Sequence, residues 1–248
     1  MIYVCIPSHN QAATLGLLLW KVRQVFQAFP REYQFLVVDD GSTDGTREVL
    51  DLYQRALPVT VLRPPAREGH AASLERVLRE SVRRTDRPRR DCAITLPPDF
   101  AVSPEALPDL VRRLESGADL VVGELNDRGA PWLVRLVRRG APWLLKPGLT
   151  VPGVRDLFSG CLGLRLATLK RCFRDGQALL QTEDWCANAE LVARAAVHAR
   201  QIATVPVAPG RAPAPVEHPR PAALALAMLR AGRQLRIPAP SAPVERTA

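Results

Sequence analysis

Val37-Val38-Asp39-Asp40-Gly41-Ser42-Thr43-Asp44-Gly45-Thr46 is the stretch on which the reading of the fold turns. It closes a continuous apolar run, Gln34–Asp39, of the kind that fits the middle of a parallel sheet covered on both faces. Two carboxylates then stand where a buried strand ends at the open edge of that sheet. Gly41 permits a sharp turn, and Ser42 or Thr43 is placed to cap the helix that follows. A carboxylate at such a strand end can accept hydrogen bonds from a ribose hydroxyl or a base N–H. The same residues also fit an ordinary strand-to-helix turn in which Asp serves only as a cap.

Working outward, strand-like and helix-like segments alternate. Ile2–Ile6 is a short apolar run ended by Pro7, and Ala12–Phe29 carries Leu15, Leu18, Leu19, Val22, Val25 and Phe26 at helical spacing. After the quoted stretch come a helix within Ser42–Tyr53, a strand at Val59–Leu62 and a helix over Gly69–Val82. A strand follows at Asp91–Leu96, then a helix over Pro104–Ser116 and a strand at Asp119–Gly123. From Asn126 to Pro152 the pattern is poor, with Arg, Pro, Trp and Gly between short apolar pieces. Leu157–Leu166 reads as strand or loop, Thr182–Ala199 as helix and Gln201–Val207 as strand. This order predicts an α/β layer fold, a mainly parallel sheet flanked by helices. Its ligand crevice should lie at the carboxyl ends of the strands, with Ile6-Pro7-Ser8-His9-Asn10 beside Asp39 and Asp40.

The composition is consistent with that. The chain has 248 residues, enough to bury a core without staples, with 47% hydrophobic and 24% charged residues. The net charge is +9, and 31 of the 34 basic residues are arginine. Such a charge suits nucleic acid, anionic lipid or phosphorylated small molecules, and equally a solvated basic surface. Nucleic acid ranks last: there are three tyrosines, six phenylalanines and no stacking motif. The five cysteines form no CxxC pair and read as buried reduced thiols, which with the absence of a signal peptide or membrane span predicts a cytoplasmic protein. The four histidines have no zinc spacing.

Together these segments resemble the family 2 glycosyltransferases, whose N-terminal half reads P-x-x-N-E, V-D-D-G-S-x-D-G-T and then D-x-D. Arg67-Glu68-Gly69-His70-Ala71-Ala72-Ser73-Leu74 is similar to the family's N-x-G-x-x-x-A-L segment. Ser103-Pro104-Glu105-Ala106-Leu107-Pro108 looks like the segment after D-x-D. Val154-Arg155-Asp156-Leu157-Phe158-Ser159-Gly160 and Thr204-Val205-Pro206-Val207 are similar to the V-x-D-x-x-S-G and V-P-V segments of the dolichol- and polyprenyl-phosphate sugar transferases. The resemblance implies a GT-A fold over residues 1–208, with a nucleotide-binding half (1–124), an acceptor half (125–208) and a Pro/Ala-rich tail (209–248). It also implies a UDP- or GDP-sugar donor, inversion at the anomeric carbon, and Mg²⁺ or Mn²⁺. The residues it assigns to the donor are Pro7, His9, Gln11, Asp39, Asp40, Asp99, Arg165 and Arg211, with Asp99 also the metal ligand.

The departures fall on polar positions. The D-x-D site reads Leu96-Pro97-Pro98-Asp99, so Pro97 replaces the first carboxylate. Gln11 stands for Glu, and the family's G-S-R reads Gly123-Glu124-Leu125. Either Asp99 alone holds a metal through the donor phosphates, with Arg128, Arg135, Arg138, Arg139 or Arg165 supplying further charge, or the fold persists without turnover.

Thr182-Glu183-Asp184-Trp185 offers Asp184 as the base for a hydroxyl acceptor. The same residues fit a helix start, with Thr182 as N-cap and the acids facing the helix dipole. A lipid-phosphate acceptor needs no base, and Asp184 would then only position it. Ala222–Arg236, with Leu224, Leu226, Met228, Leu229 and Leu235 among arginines, either rests on an anionic membrane surface or packs back on the core. His218 reads as solvent-exposed. The leading expectation is an inverting glycosyltransferase acting at the inner membrane face on a polyprenyl phosphate. The alternatives are a pseudoenzyme that binds a nucleotide or protein partner, and a transferase to a hydroxyl.

Overall fold

A computed structural model describes residues 1–125, 132–145, 148–149, 151–173, 177–210, 221–240 and 242–246. The strands are β1 (Ile2–Ser8), β2 (Tyr33–Asp39), β3 (Val59–Leu62), β4 (Cys92–Thr95), β5 (Leu120–Leu125), β6 (Leu162–Arg165), β7 (Ile202–Val207) and β8 (Val244–Arg246). The helices are α1 (Ala12–Ala28), α2 (Thr46–Gln54), α3 (His70–Arg84), α4 (Leu107–Glu115), α5 (Trp132–Leu144), α6 (Leu166–Cys172), α7 (Asp184–His198) and α8 (Pro221–Gln234). A 3₁₀ turn, Pro104–Ala106, precedes α4 and is capped by the Ser103 hydroxyl, which accepts the Glu105 N–H.

The strands form one sheet in the order β3-β2-β1-β4-β6-β5-β7-β8. Every pairing is parallel except those of β6, which runs antiparallel between β4 and β5. Chain order alone suggests β4 beside β5. The returning segment read as strand or loop inserts between them instead. β1 and β2 are buried along most of their length because helices cover both faces. One core cluster joins Tyr3, Cys5, Leu36 and Val38 to α3, α5, α7 and α8. The other joins Val4, Ile6, Phe35 and Val37 to α1 and α4.

Ser8 pairs with Asp39, so the loops after β1 and β2 emerge side by side, as the sequence implies. Connections leave β1 toward β2 on one side, while β4 lies on the other. The carboxyl ends of β1 and β4 therefore flank the crevice expected at such a reversal.

The segment 126–152, unreadable by periodicity, contains α5. The chain after residue 209 adds α8 and β8 to the body: β8 extends the sheet beside β7, and α8 packs against α5. Leu224, Met228, Ala231 and Leu235 are buried there, so the apolar stripe of α8 faces the core rather than a membrane. Among the described residues no helix is long and apolar enough to cross a membrane. His218 lies outside the described residues.

Candidate active site

Two loops are laced together before any pocket forms. The Asn10 N–H donates to Ser42 Oγ at 3.0 Å, and the Thr43 N–H donates to Asn10 Oδ1 at 2.8 Å. Asp44 accepts the Ala12 N–H at the start of α1 (3.0 Å) and the Thr46 N–H at the start of α2 (3.0 Å). Partial burial works to raise the Asp44 pKa. The bonds from the Thr46 hydroxyl and these backbone amides outweigh it and hold the carboxyl below its usual range. The third acid of the stretch, and not Ser42 or Thr43, therefore serves the helix starts.

Asp40 is buried, and its two oxygens accept the N–H groups of Glu68 (2.7 Å) and Gly69 (2.9 Å). Its carboxylate fixes the 67–69 loop. Asp39 is also buried, lies 3.6 Å from Arg63 and accepts the Ser42 N–H at 3.3 Å. His9 Nδ1 lies 2.8 Å from the Asp40 carbonyl oxygen, so as an N–H donor there it leaves Nε2 as the ring's other polar atom.

Beside these loops opens a cavity of about 300 Å³, lined by Pro7 of β1 and Gln11 beyond it, by Thr95 at the end of β4 and residues 96–99 that follow, and by Asp184, Trp185 and Asn188 of α7. Four of the residues singled out by sequence meet there: Pro7, Gln11, Asp99 and Asp184. His70 and Asn188 also line it, with His70 Nε2 3.4 Å from Asn188 Oδ1. Both were passed over in sequence, although Asn188 follows Asp184 by four residues and so shares its helix face. Arg165 does not belong to the site. It sits at the opposite end of the sheet, beside Asp119 at 3.4 Å and bonded to the carbonyls of Arg89, Leu114 and Ala118. The antiparallel course of β6 carries it there, because Arg165 pairs with Cys92 at the entry of β4. Arg128 and Arg211 lie outside the described residues, and Arg135 is exposed on α5.

Asp184 is held by its surroundings. Glu190, fully buried, accepts the Gln181 N–H (2.9 Å), the Thr182 N–H (2.9 Å) and the Thr182 hydroxyl (2.8 Å), and pairs with Arg194. Thr182 thus donates to Glu190 and does not cap α7. Glu75 similarly accepts the N–H groups of Leu179 and Leu180. The Glu183 carboxylate turns away to the start of α3, where Ala71 N–H donates at 3.4 Å, a favourable place for a negative charge. That leaves Asp184 as the acid of the pair that faces the cavity.

Among the described non-glycine residues, positive φ occurs at Asn10 (52°), Phe100 (63°) and Asp184 (51°). All three border the cavity lining. Such conformations cost on the order of 1–3 kcal/mol each and persist where surrounding structure over-determines them.

Asp99 accepts the Ala101 N–H at 2.9 Å. Its hard oxygen chemistry fits Mg²⁺ or Mn²⁺. Among the described residues no three His, Cys, Asp or Glu side chains converge to hold a metal unaided. A cation here would therefore complete its shell from phosphate oxygens and water.

A parallel-sheet crevice with carboxylates at the carboxyl ends of β2 and β4 is the setting in which α/β proteins bind nucleotides. Residues 3–162 match the model of the Glycosyl transferase family 2, and the chain belongs to that family. It is 26% identical over 170 residues to a dolichol-phosphate mannosyltransferase of Pyrococcus furiosus, covering 65% of this chain and 45% of that protein. It is 27% identical over 211 residues to a polyprenol monophosphomannose synthase of Mycolicibacterium smegmatis, covering 82% and 75%. The chain thus spans about half the length of the first relative and three quarters of the second. Glucosyl-3-phosphoglycerate synthase from Mycobacterium tuberculosis, solved with Mn²⁺, uridine diphosphate and phosphoglyceric acid, superposes with a TM-score of 0.63. That match has 21% identity and covers 93% of this chain and 75% of that one, which establishes the GT-A-like fold.

Proposed function

We propose that this chain is an inverting glycosyltransferase that moves a sugar from a nucleoside diphosphate donor, UDP- or GDP-linked, to a polyprenyl phosphate at the cytoplasmic membrane face. The observation that carries this reading is the cavity at the β1–β4 reversal, which brings Gln11 and Asp99 opposite Asp184 on α7. The names of the two curated relatives support the lipid-phosphate acceptor. The five described cysteines, all free and buried, suit a reducing compartment.

Asp39 and the ordered loops around it form the nucleoside end of the site. Asp99 stands at the diphosphate end and would hold Mg²⁺ or Mn²⁺ there. Bound, the ion neutralises charge on the leaving diphosphate. An acceptor phosphate oxygen forms the new bond to the anomeric carbon as the bond to the donor phosphate breaks, and the nucleoside diphosphate leaves on the opposite face. The acceptor phosphate arrives ionised, so Asp184 orients it and moves no proton. With a hydroxyl acceptor Asp184 would instead take the proton as general base.

The test is calorimetric titration with UDP, GDP and dTDP, with and without Mn²⁺, followed by transfer from the preferred donor to a short polyprenyl phosphate. Asp99→Asn is expected to lower kcat/KM about a hundredfold or more, while Asp184→Asn mainly raises the acceptor KM. A collapse of kcat in Asp184→Asn would point to a hydroxyl acceptor. Absence of nucleotide binding by the wild type would overturn the reading and leave a GT-A-like binding protein.

A further inference from the structure

α5 is apolar on two sides. Its inner side is accounted for: Val134 is buried, and Ala141 and Leu145, the latter just past its end, join the core cluster that includes α8. Its outer side is not. Trp132 is 69% exposed, Leu136 59% and Trp143 76%, and at about 100° per residue the three fall within roughly 40° of one another. Leu133, beside them, is 43% exposed. These four are half of the large apolar side chains exposed among the described residues. They present on the order of 500 Å² of surface, near the upper end of what ordinary monomers leave uncovered. A helix that buries one apolar face and exposes a second, contiguous one has surface left for a partner to cover.

The chemistry of the surroundings selects that partner. From Arg128 to Arg155 the sequence holds five arginines, one lysine and no acidic residue. Tryptophan with basic residues is the composition of helices that lie in a bilayer interface, where the rings sit among headgroups and the cations meet anionic phosphates. A second protein copy would instead bring the same positive charge against itself. The place in the fold fits as well. The chain enters the α5 region from Leu125 and leaves it toward Phe158, Ser159 and Gly160, and all four of these residues line the cavity.

We propose that α5 docks this protein on an anionic lipid surface through Trp132, Leu133, Leu136 and Trp143, with the cavity mouth beside the headgroups. The inference rests on the lipid-phosphate reading for its purpose, but the docking is measured without donor or acceptor, so either can fail alone. The full chain is floated with vesicles of phosphatidylcholine containing about a third phosphatidylglycerol, and with pure phosphatidylcholine. The expected result is binding to the anionic vesicles that weakens several-fold on pure phosphatidylcholine and at high salt. The double variant Trp132→Ser, Trp143→Ser should lose about tenfold or more in partitioning. Trp20→Ser, which removes an exposed ring from α1 on the other side of the sheet, should bind like the wild type. All three proteins should bind nucleotide equally, which shows that the outward substitutions leave the fold intact. The proposal is overturned if the wild type does not float, if the double variant floats equally well, or if Trp20→Ser is equally impaired. It is also overturned if the wild type forms a dimer that the double variant loses while neither binds vesicles.

Discussion

Replacing Glu190 tests whether one buried carboxylate holds the approach to Asp184. In Glu190→Ala the Thr182 N–H and hydroxyl lose their acceptor at a site where Thr182 is buried, while the exposed Gln181 can turn its N–H to water. Each stranded group costs about 1–3 kcal/mol, and loss of the side chain's packing adds to that. The expected destabilisation is about 3–5 kcal/mol, a large share of the roughly 5–15 kcal/mol available to a domain. Glu190→Gln is different in kind. Its amide oxygen can keep all three acceptor bonds, and only the pair with Arg194, whose side chain is 26% exposed and can reach water, is lost. That substitution should cost about 1 kcal/mol. Urea unfolding followed by circular dichroism measures both, with the slope checked for constancy. Equal losses in the two variants, or an alanine variant within about 0.5 kcal/mol of wild type, would refute the reasoning.

Other expectations follow from the same geometry. The Asp44 carboxyl titrates below its unfolded value, so its contribution to stability is complete above about pH 4 and is lost as pH falls through the lower folded value. Asp44→Asn should therefore flatten the fall of the thermal midpoint in acid, by a small amount because the group is exposed. Burial pushes the thiols of Cys92, Cys161 and Cys172 up to about 12 and that of Cys186 up to about 11. At neutral pH iodoacetamide should label none of them in the folded protein, and all should react in urea, as mass spectrometry can count. A Cβ at Gly210 would collide with the Phe100 carbonyl across the short bridge between Val102 and Pro209. Gly210→Ala should therefore spread that wall of the cavity, weakening nucleotide binding about tenfold or more and lowering the thermal midpoint, as titration and melting can measure.

Much of the fold was legible because parallel strands covered on both faces leave continuous apolar runs, and Gln34–Asp39 is such a run. Helices α1 and α3 announce themselves by the spacing of Leu15, Leu18, Leu19 and Val22, and of Leu74, Val77 and Leu78. The position of β6 was not legible. Four residues with one face like any other apolar strand do not state whether they run with or against their neighbours, and only the register against β4 and β5 decides it. That choice moved Arg165 from the crevice to the far end of the sheet.

The acidic stretch teaches the same division. Its sequence determined that carboxylates gather where β2 ends beside β1, because strand alternation and a turn glycine leave little freedom there. Which carboxylate does what was decided by partners remote in sequence. Asp40 is occupied by the amides of Glu68 and Gly69, Asp44 by that of Ala12, and Glu183 is turned toward α3, leaving Asp184 to face the cavity. A carboxylate's role depends on which donors reach it, and those donors arrive from other segments only when the chain has packed. The two apolar helices near the end of the chain differ for the same reason. Only α8 shows its apolar stripe in the sequence, and packing turned that stripe inward; α5, whose segment shows no clear period, buries Val134 and Ala141 and leaves Trp132, Leu136 and Trp143 facing out. Composition records how much apolar surface a helix carries, and the tertiary structure decides which part of it remains to be covered.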